Sequence, residues 1–149
     1  MESITYVYFR SSSLVTSVCI TGNFVIGGCN KGEVLVWDTR ESLSKHHQVT
    51  EDHSLVARSP TFANTDAHST KVTSIKHLNS GHGDHMATYS EHSKHTASQL
   101  ITLEQSGQLV IWTVLDYQSD YEQHLGLAHW GQVGFRIVLN TSIHAFAIR

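Results

Sequence analysis

The sequence predicts an all-β protein built from a repeated unit of short strands. Three observations carry this. First, blocks of sequence recur. Val15-Thr16-Ser17-Val18 returns as Val72-Thr73-Ser74-Ile75, and Glu33-Val34-Leu35-Val36-Trp37-Asp38 returns as Gln108-Leu109-Val110-Ile111-Trp112-Thr113. Second, the recurring runs are short and rich in Val, Ile and Thr, the composition of a pleated, packed surface. Third, glycines punctuate them. Gly32 and Gly107 each stand just before the third run of a unit, where a tight turn calls for positive φ.

The elements follow in order. Ile4 to Phe9 reads as the closing strand of a preceding unit, within residues 1–14. The first unit spans 15–66. Its strands begin at Val15, Phe24 and Glu33, and its outer strand is expected within Ser54 to Phe62, around Pro60, because an edge strand tolerates a missing donor. The second unit spans 67–140. Its first block lies 57 positions after the first unit's and its last block 75 positions after, so 18 extra residues fall between its first and second strands. That insert lies within Asn79 to Ser98 and is rich in His, Ser and Gly, as a surface excursion is. Val34, Val36, Leu109 and Ile111 alternate with Leu35, Trp37, Val110 and Trp112, so both faces of these strands are apolar and both are expected to be covered. Leu115 to Leu127 reads as loop, Gln132 to Leu139 as the outer strand of the second unit, and 141–149 as the start of a following one.

Composition narrows the function classes. The chain has 149 residues, 40% of them hydrophobic and 15% charged, with a formal charge of −3. That is too apolar for disorder. The ten Lys and Arg are scattered rather than clustered, so no nucleic-acid partner is expected. No apolar run approaches the ~18 residues of a membrane span, and the first ten residues lack the apolar core of a signal peptide. A soluble intracellular protein with no membrane partner and no small-molecule substrate is expected. Cys19 and Cys29 read as reduced thiols acting as small hydrophobes.

Short units whose third strand ends in Trp-Asp resemble WD-repeat blades of a β-propeller. Trp37-Asp38 matches the dipeptide, and Trp112-Thr113 is a degenerate copy. His68 stands four residues before Val72, as the histidine of a Gly-His pair stands before a blade, here after Ala67. The turn aspartate of such blades is replaced by Lys31 and Ser106, so their Asp-His-Ser-Trp hydrogen-bond network is expected to be incomplete in both units. The resemblance therefore implies two divergent blades of an incomplete propeller, with flanking strands and a His-rich loop insert. Structural blade roles fall to Trp37, Asp38, His68, Trp112, Gly32 and Gly107. The stretch Gly27-Gly28 through Thr39-Arg40, then Arg58-Ser59-Pro60-Thr61, Ala67-His68 and Leu100-Ile101-Thr102-Leu103, resembles the dynein intermediate chains, most of all the branch serving cytoplasmic dynein-2. That family implies a non-catalytic subunit whose partners are the dynein heavy chain and other dynein-2 subunits. It implies retrograde intraflagellar transport and a place in cytoplasm, cytoskeleton and cilium. An unrelated WD-repeat adaptor is the alternative.

Other constellations carry residue types that can do chemistry. His82-x-x-His85 and His92-x-x-His95 offer four imidazoles, and imidazole binds zinc. All-histidine structural sites are uncommon, and no helix places these four on one face, so no metal and no cofactor are expected. No Gly-x-Ser-x-Gly elbow accompanies Ser17 or Ser106, and the glycines at 27, 28 and 32 lead into a strand rather than a phosphate-cradling helix, so no catalytic residue is assigned. Trp37 and Trp112 are expected to pack between sheets, while Trp130 lies outside the repeat and is the better interface candidate. Repeat units bury their faces against neighbours, and only two are recognisable here. The chain alone is therefore expected to self-associate, and a monodisperse monomer by light scattering would contradict that.

Overall fold

The computed structural model describes residues 5–51, 54–78, 95–117 and 135–144. Its first sheet is formed by β2 (Val15–Thr21), β3 (Phe24–Cys29), β4 (Val34–Asp38) and β7 (Phe62–Asn64), antiparallel and in that order. The second sheet repeats the pattern with β8 (Val72–Leu78), β9 (His95–Glu104), β10 (Gln108–Tyr117) and β11 (Phe135–His144). A third, smaller sheet is formed by β1 (Tyr6–Phe9), β6 (Leu55–Arg58) and β5 (His47–Gln48), with β1 parallel to β6. A 3₁₀ turn at Leu43–Lys45 precedes β5. The protein is all-β over these residues.

Register makes the repeat closer than the residue identities do. Val15 pairs with Cys29 and Val72 with Glu104, and each first strand bulges immediately after that pair. The extra residue is a threonine both times. Thr73 Oγ1 donates to the Leu103 carbonyl at 3.1 Å, and Thr16 Oγ1 lies at the same distance from the Gly28 carbonyl, sharing its one proton with the closer Val72 carbonyl at 2.6 Å. A bulge leaves one residue outside the ladder, and a side-chain hydroxyl that reaches the partner strand replaces the missing bond. The turns repeat as well. Gly32 and Gly107 have φ of 90° and 92°, and their N–H groups return to the carbonyls of Cys29 and Glu104. An L side chain is strained at that φ, which is why glycine recurs there.

The core lies between the two sheets. Phe24, Ile26, Val34 and Val36 from the first meet Ile75, Leu100, Val110, Trp112 and Val114 from the second, with Val72 between them. The opposite face of the first sheet buries Val25, Cys29, Leu35 and Trp37, where Phe9 meets the Trp37 ring edge-on at a centroid distance of 5.6 Å. Every residue of β3 and β4 is buried, so the apolar alternation expected to be covered on both faces is fully covered at Val34–Trp37, while at Leu109–Trp112 Val110 and Trp112 are buried and Leu109 and Ile111 partly so. The cover stops at β2. Val18 is 57% exposed, whereas Ile75, at the same position of the second unit, is 5% exposed.

Several boundaries differ from the sequence reading. The outer strand of the first sheet is Phe62–Asn64, beyond Pro60, and Pro60 lies in no strand. Leu55–Arg58 instead pairs with Tyr6–Phe9, so the first strand finds its partner inside the first unit. Strand β9 begins at His95, which removes residues 95–98 from the insert, and β11 continues to His144, across the expected boundary at 140/141. Residues 79–94 and Trp130 lie outside the described residues. No helix among the described residues is long and apolar enough to cross a membrane.

Candidate functional site

The most organised polar cluster is built on His68. Strand β7 ends at Asn64, whose Oδ1 accepts the N–H groups of Asp66 and Ala67 at 3.1 and 2.8 Å. This Asx turn swings the chain so that the next side chain, His68, points into the second sheet. There His68 Nε2 lies 2.6 Å from Thr102 Oγ1, and Trp112 Nε1 donates to the same oxygen at 2.8 Å. His68 Nδ1 lies 3.2 Å from Glu104 Oε2, off the axis of a well-formed hydrogen bond. Glu104 Oε2 also accepts the N–H groups of Ser69 at 2.8 Å and Thr70 at 3.2 Å, and Ser106 Oγ donates to Oε1.

Donor counting assigns the protons. The indole only donates, so Thr102 Oγ1 is its acceptor and the threonine proton turns to His68 Nε2. The ring proton then sits on Nδ1 and faces the Glu104 carboxylate. Burial lowers the pKa of His68, and the neighbouring Glu104 only partly opposes that, so the ring is neutral at pH 7. Burial alone would raise the pKa of Glu104. The hydrogen bonds from Ser106, Thr70 and Ser69, together with His68, outweigh it and hold the carboxyl below its ordinary range.

In the second sheet, tryptophan, hydroxyl, imidazole and carboxylate stand together, with the hydrogen bonds formed from Trp112 to His68 and the carboxylate only facing the ring. The carboxylate comes from Glu104 at the end of β9, not from the turn position held by Ser106. In order, hydroxyl, imidazole and carboxylate match the relay of an acyl-transfer triad. Their surroundings do not. Thr102 is 0% exposed and its oxygen already accepts the Trp112 N–H, so no substrate carbonyl reaches it. The cluster is a clasp that ties loop, strand and indole together.

In the first sheet the same positions carry different residues. By register, Ser11, Gly27, Cys29 and Trp37 stand where His68, Thr102, Glu104 and Trp112 stand in the second. Ser11 Oγ and Cys29 Sγ are 3.8 Å apart. Gly27 offers no hydroxyl, and a Cβ there would lie 3.0 Å from the Trp37 ring. Trp37 Nε1 instead donates to the Arg58 carbonyl at 3.1 Å. The buried Arg58 guanidinium donates to the carbonyls of Asp38 and Glu41 at 2.8 and 3.1 Å, tying the Pro60 connection to the end of β4. Asp38 accepts from Arg40 N, Nε and Nη2 at 2.8–2.9 Å, and the Arg40 guanidinium stacks over Phe24 at 5.2 Å.

Of the residues singled out in the sequence, His68 and Trp112 meet in one cluster. Gly107 shapes the turn that presents Ser106, and Gly32 lies against the His68 carbonyl. Trp37 and Asp38 sit apart from that cluster, on Arg58 and Arg40. Thr102, Glu104, Arg58 and Gly28 carry no site role in the sequence reading, where Thr102, Arg58 and Gly28 stand within family-like runs and Glu104 is not named. The signal for the first two was a hydroxyl inside, and an acid directly after, the apolar run Leu100-Ile101-Thr102-Leu103. Among the described residues no group of three His, Cys, Asp or Glu side chains is arranged to hold a metal. His82, His85 and His92 lie outside the described residues.

Burial pushes the Cys29 thiol up, Ser11 lowers it and the Glu33 charge raises it again, so this thiol is protonated and inert. Cys19 is half-buried. A thiol reagent followed by peptide mass analysis is expected to modify native Cys19 first, and Cys29 only after denaturation. No family model matches the chain, and no curated protein matches it.

Proposed function

We propose that this chain is a non-catalytic protein-interaction scaffold of the WD-repeat propeller kind. More specifically, we propose that it is the intermediate-chain subunit of cytoplasmic dynein-2, holding the dynein heavy chain and other dynein-2 subunits for retrograde intraflagellar transport and cilium assembly. The observation that supports the scaffold reading best is the pair of matched four-stranded sheets with the same bulge, threonine, glycine turn and buried tryptophan. The one triad-like cluster is sealed, which favours structure over catalysis. The motor assignment rests on the family-like run from Gly27 to Arg40 and on Arg58-Ser59-Pro60-Thr61, whose arginine is a buried anchor.

The second reading, an unrelated WD-repeat adaptor, is favoured by Lys31 and Ser106 where a turn aspartate is usual. Co-purification separates the two. The tagged protein expressed in ciliated cells is expected to retain the dynein heavy chain and to lie in cytoplasm, cytoskeleton and cilium. Clean absence of the heavy chain removes the motor reading and leaves the adaptor.

A further inference from the structure

Residues 68–71 form a wedge between the two sheets. On one side, the carbonyls of His68 and Thr70 press against the first sheet's turn. A Cβ placed on Gly32 would lie 2.5 Å from the His68 oxygen and 3.0 Å from that of Thr70. On the other side, the wedge is bound to the second sheet through Glu104, which accepts from Ser69 N and Thr70 N and faces the His68 ring. Two further ties complete it, Gln105 N to the Lys71 carbonyl at 2.8 Å and Ser106 N to Thr70 Oγ1 at 3.2 Å. We propose that the His68–Glu104 pair is an acid-released latch: it holds the 68–71 loop between the sheets, and proton uptake frees the loop while both sheets remain folded.

The hydrogen-bond inventory drives this. With a neutral ring, the Trp112 and Thr102 protons each have an acceptor, and the His68 Nδ1 proton faces the Glu104 carboxylate at 3.2 Å. Protonating His68 turns Nε2 from acceptor to donor. The Thr102 hydroxyl proton then has no acceptor, because Trp112 Nε1 and His68 Nε2 are the only hydrogen-bond partners of that oxygen among the described residues. Protonating Glu104 weakens an acceptor that serves Ser69, Thr70, Ser106 and His68 at once. Once the loop leaves, water solvates both groups, so the open state takes the proton more readily.

The charged neighbours do not reverse this. Glu104 is the carboxylate facing His68, and its attraction for an imidazolium is outweighed by burial. On the first-sheet turn, Lys31 and Glu33 flank Gly32, and Glu33 Oε1 already accepts from Ser13 at 2.6 Å. Lys71 closes the loop and is exposed. Both latch groups bind protons less readily closed than open. Closure is therefore fully favoured above the ordinary value of each, 6.5 for the imidazole and 4.5 for the carboxyl, and is lost as pH falls through the lower closed-state values.

Amide exchange measured by NMR on the whole chain tests the latch. Between pH 7 and 5, after correction for intrinsic exchange, protection of the Ser69 and Thr70 amides is expected to fall by roughly tenfold, with β3 and β4 amides unchanged. Glu104→Gln is expected to lower protection at those two amides at pH 7 by about tenfold or more. His68→Gln is expected to abolish the change between pH 7 and 5. Equal protection at pH 7 and 5 in the wild-type chain would overturn the proposal, and so would simultaneous loss across all strands. A Glu104→Gln chain that folds with wild-type protection at Ser69 and Thr70 would do the same. If Glu104→Gln does not fold, the wild-type titration and His68→Gln decide alone.

Discussion

Gly28→Ala is expected to destabilise the protein by about 2–3 kcal/mol, toward the upper end of what overpacking costs. A Cβ at Gly28 would lie 2.3 Å from Val72 Cγ1, 2.6 Å from Val72 Cβ and 2.8 Å from Ser17 Oγ. The two closest atoms belong to a β-branched side chain rooted at its Cβ, which cannot swing away as a flexible chain end would. The site also lies where the sheets join, since Thr16 Oγ1 donates to the Val72 carbonyl at 2.6 Å. The added methyl therefore pushes one sheet off the other rather than denting one strand. Urea unfolding followed by tryptophan fluorescence reads the cost. Gly22→Ala is the contrast, since nothing lies within 4 Å of a Cβ there and only the φ of 53° is strained. A double-mutant cycle adds the decisive arm. In a Val72→Ala background the same glycine substitution is expected to cost less, because the 2.3 Å contact with Cγ1 is gone and the Cβ left at 2.6 Å is no longer branched. Equal costs in both backgrounds would show that the strain lies elsewhere.

The sequence exposed the repeat because two of its features are local. A glycine at positive φ and a tryptophan ending an apolar strand are each fixed by a few adjacent residues, so Gly32, Gly107, Trp37 and Trp112 were legible. What depends on distant partners was not. Nothing near Leu55–Arg58 announces that it pairs in parallel with Tyr6–Phe9, because a parallel pair has no shared turn. The unit boundary expected at 140/141 falls inside β11, an edge strand whose side chains from Val138 to His144 are exposed and so free to be polar. The clasp of the second sheet escaped for a geometric reason. Its carboxylate stands eight residues before Trp112 instead of six, and the longer Glu104 side chain reaches back to His68. A rule that looks only for an acid in the turn finds Ser106 and stops.

The clasp gives the second large expected effect. Thr102→Val is expected to cost about 2–4 kcal/mol although the two side chains are nearly the same shape. The substitution leaves two buried polar groups without their partner, the Trp112 Nε1–H and His68 Nε2, and each stranded group costs about 1–3 kcal/mol. Neither finds water, since Thr102 is 0% and Trp112 is 2% exposed. Thr102→Ser keeps the hydroxyl and loses one methyl, so most of the stability is expected to return. That comparison separates the lost hydrogen bonds from simple packing. Trp37→Phe is the internal control for the indole. It removes a single bond to the Arg58 carbonyl, which still accepts from Arg10 N at 2.8 Å, so no acceptor is stranded. Its polar cost is expected near the ~1 kcal/mol of an ordinary hydrogen bond. If Thr102→Val and Thr102→Ser unfold at the same urea concentration, the hydroxyl contributes nothing and the clasp is only a packed corner.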